Sequence, residues 1–99
     1  YGIGRMDRGW QVRPEARVNI SQPPSTYLRR FYYDCIVYTE AALRFLIDTV
    51  GVDRVVFGTD WPYDMDFDWP VSWVLSLEGL TLEEKEAILY KNLEGLLGL

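Results

Sequence analysis

The sequence predicts an α/β fold in which about two parallel strands with flanking helices form a portion of a (β/α)8 TIM barrel. Three observations lead there. The run Phe31-Tyr32-Tyr33-Asp34-Cys35-Ile36-Val37-Tyr38 is aromatic or β-branched on both alternating sets. That is the pattern of a strand buried on both faces, as in parallel sheets covered by helices. A helical pattern over Glu40–Val50 and a second short run, Asp53-Arg54-Val55-Val56-Phe57, follow at once. Strand, helix and strand in close succession make a βαβ unit, which is parallel and right-handed in nearly all cases. Two such strands leave open edges, so the pattern asks for more strands than this sequence holds. A barrel of eight units takes about 250 residues, and two units account for the centre of this chain.

The elements follow in order. Residues 3–10 suit a short helix that Pro14 closes, because proline disfavours a helical residue before it. Residues 14–24 end in Gln22-Pro23-Pro24 and suit a loop, after which Ser25 is placed to cap a short turn over 26–30. The first strand is expected over 31–37. Thr39 then caps the helix at 40–50, with Glu40 at the positive end of its dipole. Leu43, Leu46, Ile47 and Val50 line one face, and Gly51 ends it. A second strand is expected over 54–58. Asp68 and Pro70 open a helix to about Leu77, before Gly79. Thr81 and Glu84 form a capping box for a helix to about Tyr90, and Asn92 caps a last turn through Leu97. We expect one partial domain spanning 1–99.

Composition narrows the function. Of 99 residues, 48% are hydrophobic and 25% charged, a globular balance rather than a disordered one. The net charge of −5 argues against nucleic acid. No apolar run approaches the ~20 residues that span a bilayer. The opening Tyr1-Gly-Ile-Gly-Arg5 suits neither a signal peptide nor a Met start, and reads as cut from a longer chain. The lone Cys35 lies in an apolar run and reads as a buried thiol of a cytoplasmic protein. There is no histidine, so a Ser/His/Asp, a Cys/His or a His-rich zinc site cannot be built from this chain alone. Two motifs fail. Asp64-Met-Asp66-Phe-Asp68 starts like a calcium loop, but Trp69 replaces the required Gly and Leu75 the required Glu. Gly2-Ile3-Gly4 lacks the third glycine of a dinucleotide loop.

Four blocks, in order and with matching gaps, carry a family resemblance. Val52-Asp53-Arg54-Val55-Val56-Phe57-Gly58-Thr59-Asp60-Trp61-Pro62 resembles the last barrel strand of the metal-dependent decarboxylases in the amidohydrolase superfamily. Phe31–Asp34 with Glu40–Leu46 resembles their penultimate strand and helix. Lys91–Leu99 resembles their C-terminal end, and Tyr1–Trp10 the stretch after their His-Gly-Gly-Gly segment. The resemblance implies the C-terminal portion of the barrel and a carbon–carbon lyase acting on a small carboxylated substrate. A hydrolase or hydratase on the same barrel is the alternative, since fold does not fix reaction. So is an inactive, truncated chain that serves as an oligomeric interaction module.

The resemblance also implies roles. Asp60 matches the aspartate that ligates the divalent metal, usually zinc. Its place just past a strand agrees, because these barrels keep their sites at that face. A strand-end Asp that caps the next loop is the plain alternative. Arg5 matches an arginine that reaches into a neighbouring subunit to hold a substrate carboxylate, work suited to a guanidinium fork. A surface ion pair is the alternative, and Arg8 could share either role. Trp61 and Tyr63 flank Asp60 as pocket walls or as rim residues. Asp34 is expected to be buried and ion-paired with a nearby arginine. Tyr38 stands where relatives often carry His. No catalytic residue is expected within the chain, nor tight metal binding by it alone. The expected partners are the missing N-terminal part of the barrel or further copies of the chain.

Overall fold

In the computed structural model, which describes residues 1–99, the chain forms two compact units, 1–31 and 32–99. In the first, helix α1 (Ile3–Val12) ends where Arg13 turns extended ahead of Pro14, the backbone that proline imposes on its predecessor. Short 3-10 turns follow at Pro14–Arg17 and Pro24–Arg30. Ser25 does not cap the second. Pro23 precedes it with no side-chain cap, and the Ser25 amide donates instead to Asp7 Oδ1 at 2.9 Å. Cations sit over rings here, Arg17 over Trp10 at 5.8 Å and Arg30 over Tyr27 at 4.7 Å. A hydrogen bond with the Ser21 hydroxyl lowers the Tyr27 phenol from its usual value.

The second unit is the βαβ segment with its following helices. Strands β1 (Tyr33–Asp34) and β2 (Val55–Val56) pair in parallel, Tyr33 opposite Val55 and Asp34 opposite Val56. Both are shorter than expected, for local reasons. After Asp34 the backbone turns on itself: Val37 N–H donates to Cys35 O at 2.9 Å and Thr39 N–H to Val37 O at 2.8 Å. Such three-residue turns draw the amides out of a ladder. Before β2, a 3-10 turn over Val52–Arg54 delays the extended backbone. The run at 31–37 is also not buried on both faces. Phe31 and Tyr32 are exposed, and so is Asp34, whose carboxylate accepts the Ile36 amide at 2.8 Å.

Helix α2 (Glu40–Val50) matches its expected limits. Thr39 Oγ1 accepts the Ala42 amide, and Gly51 closes the helix at φ 91°. Leu43, Ile47 and Val50 are buried and Leu46 half-buried, so the apolar stripe faces the core. With Cys35, Val55, Val74, Leu77, Leu80 and Ile88 they form that core. Complete burial of a side chain the size of Leu43 or Ile88 contributes about 1.5–3 kcal/mol.

Helix α3 (Pro70–Ser76) starts from Trp69 in the left-handed region, and Asp68 gives no cap, contrary to expectation. Helix α4 (Leu82–Glu86) opens on the expected capping box of Thr81 and Glu84. It runs through a π segment, Ala87–Lys91, into α5 (Asn92–Leu97). Asn92 therefore caps nothing. It is helical, and its Nδ2 donates to Val52 O and Val55 O, each at 2.7 Å, pinning the entrance of β2. Arg44 joins α2 to α4 through both Glu84 carboxylate oxygens and also pairs with Asp48. Asp48 first, then Glu84, raise the guanidinium above its usual value.

Candidate functional site

Parallel strands present their C-terminal ends on one side, and in barrels that side carries the chemistry. Here the two exits are built alike. Tyr38 lies four residues past the end of β1 and Asp60 four past the end of β2, and Asp34 pairs with Val56. Both residues adopt the left-handed backbone, with φ 60° and 63°. That region is sparsely used outside glycine, more tolerable for Asp than for a bulky residue. Holding a side-chain-bearing residue there costs about 1–3 kcal/mol, which the surroundings must offset.

The surroundings of Asp60 are a closed loop. Phe67 N–H donates to Thr59 O at 3.0 Å, so the loop's ends meet. Inside it, Trp61 N–H donates to Thr59 Oγ1 at 3.1 Å, Tyr63 N–H to Asp60 O and Asp66 N–H to Tyr63 O, both at 3.0 Å. The Trp61–Pro62 peptide bond is cis. Gly58, just before, lies close to the exit of β1. A methyl group added there would come within 3.3 Å of Asp34 Cβ and Ile36 Cδ1. Only glycine lets the two exits approach so closely without a shift of the neighbouring atoms.

The candidate residues are placed as follows. Asp60, Trp61 and Tyr63 fall together in this loop, all exposed, the two rings at 75% and 69%. Arg5 is an exposed residue of α1 in the first unit, and Arg8 in the same helix donates to Gln11 Oε1 at 3.4 Å. Tyr38 was noted in the sequence only for what it replaces, yet it meets the loop directly. Its hydroxyl donates to Met65 O, and its ring stacks on Phe67 with centroids 5.1 Å apart and planes 8° from parallel. Phe67 in turn packs on Trp73 of α3 at 4.6 Å. Phe67 was missed by sequence reasoning. Its one legible signal was an aromatic ring amid Asp64, Asp66 and Asp68, where solvated residues were expected.

The arrangement presents an exposed carboxylate and two exposed aromatic rings in one loop after the C-terminal end of β2. No three Asp, Glu, Cys or His side chains in the chain converge as ligands, and a zinc site collects three or four. The cavity of about 430 Å³ in the first unit is lined by Ile3, Met6, Ile20, Pro24, Tyr27, Leu28 and Phe31. Its walls offer almost no polar group to orient a substrate.

Comparison with known proteins gives the same direction. The amidohydrolase family model matches residues 6–99. The chain is similar to the 2-amino-3-carboxymuconate-6-semialdehyde decarboxylase of Dictyostelium discoideum, 31% identical over 100 residues, covering 100% of this chain and 28% of that protein. It is similar also to the decarboxylase of the same name in Caenorhabditis elegans, 30% identical over 90 residues, covering 90% of this chain and 22% of that protein. The chain thus spans about a quarter of the length of the curated relatives it matches.

Proposed function

This chain belongs to the amidohydrolase family, and on that premise we propose that it is the C-terminal barrel segment of a decarboxylase acting on a small carboxylated substrate. Within it Asp60 supplies one carboxylate ligand to a divalent metal, zinc as the family resemblance implies, and the other ligands come from outside residues 1–99. Trp61 and Tyr63, in the same loop as Asp60, form pocket walls, flat surfaces for an unsaturated acid. Arg5 offers a guanidinium fork for a substrate carboxylate. The observation that carries the reading is the position of Asp60, held left-handed in a closed loop at the C-terminal end of a parallel strand.

The test is Asp60→Ala in the complete protein that carries this segment. Loss of a group that merely orients a ligand costs 10–100-fold, so loss of a ligand should cut zinc retention and carbon dioxide release by roughly a hundredfold or more. A variant with full zinc and full turnover removes Asp60 from the site. A second reading, an inactive chain that serves as an interaction module, is favoured by one observation. The exposed large side chains include Phe31, Trp61, Tyr63 and Trp69, and apolar surface of this kind marks interaction sites where it is contiguous.

A further inference from the structure

We propose that Tyr38 is a positioning residue for Asp60, latching the Asp60 loop to the exit of β1. The inference rests on the reading of Asp60 as a ligand and adds what places it. The latch has two contacts. The Tyr38 hydroxyl donates to the carbonyl of Met65, and the ring lies flat against Phe67. The loop is otherwise a light structure, with Trp61, Tyr63 and Met65 all facing solvent. Its closure runs through Phe67, whose amide donates to Thr59 O beside Asp60. Whatever fixes Phe67 therefore fixes the residue next to the carboxylate. Phe67 is held on one side by Tyr38 and on the other by Trp73, a residue of α3 whose neighbour Val74 is fully buried. The rings thus connect the loop to the core. Tyr38 itself adopts the left-handed backbone at φ 60°, a conformation that a bulky residue keeps only when its contacts demand it.

Two substitutions separate the parts. Tyr38→Phe keeps the stack and loses the hydroxyl. Tyr38→Gly loses both and relaxes the left-handed backbone, so a loss of function there is not a strain effect. Amide exchange in the full chain reads the latch without any metal. The Tyr63 and Phe67 amides should exchange about fivefold faster in Tyr38→Phe, the worth of one hydrogen bond. In Tyr38→Gly the factor should be roughly tenfold or more. The Glu84 amide of the capping box serves as the unmoved reference. Unchanged loop exchange in both variants overturns the latch.

Zinc affinity of the complete protein reads the positioning, with Asp60→Asn alongside. The expected result is weaker zinc binding in Tyr38→Gly, partly restored in Tyr38→Phe, while Asp60→Asn loses zinc. Faster loop exchange with unweakened zinc, where Asp60→Asn does lose it, overturns the positioning role. If Asp60→Asn keeps its zinc, the ligand reading falls, and exchange alone decides the latch.

Discussion

Three residues set the geometry at the strand exits, and each acts through an ordinary force. Tyr38 supplies a ring and a hydroxyl to the Asp60 loop. Gly58 supplies the absence of a side chain, which lets that loop leave beside Asp34 and Ile36. Cys35 lies beneath them, 2% exposed, its Sγ 3.9 Å from Gly58 O. Burial pushes its thiol above the ordinary value of 9.0. The sign follows directly: folding favours the neutral thiol, so this contribution is complete below pH 9.0 and is lost as the pH rises above it. Denaturant titrations at pH 8 and pH 10 should show a stability loss that Cys35→Ala reduces. An equal loss in both proteins would mean that the thiol does not titrate against the fold. Of these residues, the burial of Cys35 was legible from the apolar run around it. The role of Tyr38 was not, because a stack between residues 38 and 67 leaves no local pattern.

Among the elements, those specified by neighbours a few residues apart were the legible ones. Helix α2 has its cap, its apolar stripe and its closing Gly51 all within reach of one another. The capping box of Thr81 and Glu84 is likewise a spacing rule, satisfied in both directions. The strands were legible in kind and pairing but not in length, since the turns that shorten them depend on backbone bonds after Asp34 and before Val55. The C-terminal helix was misread at Asn92, and the cause is the π segment before it. A wider turn brings residues five apart together, as in the contact between Lys91 Nζ and Glu86. It also sets Asn92 toward β2, where its amide meets two strand-entry carbonyls rather than a helix end. Asparagine favours caps on average, but a side chain offering two donors to two carbonyls decides otherwise.

For the whole molecule, the family and the parallel strand pair were legible because the matching blocks run along the chain in order. Of the candidate site, Asp60, Trp61 and Tyr63 were legible as a group because they are neighbours in sequence, and they fall in one closed loop. A sheet of two strands leaves each with one edge beside which no further strand lies, and exposed aromatic side chains stand near β1 in the sequence at Tyr32 and Tyr38. Such edges template pairing with other chains. The pure chain at low micromolar concentration should therefore scatter light as a species heavier than 11.6 kDa. A monodisperse, cooperatively folding monomer would show that the 99 residues satisfy their own edges. The central claim, that Asp60 completes a metal site built mostly from elsewhere, is tested most directly by zinc anomalous scattering from crystals of the complete protein. The account predicts a zinc peak about 2.0–2.2 Å from an Asp60 carboxylate oxygen, with every other protein ligand outside residues 1–99. A zinc peak remote from Asp60, with that carboxylate turned to solvent, would contradict it.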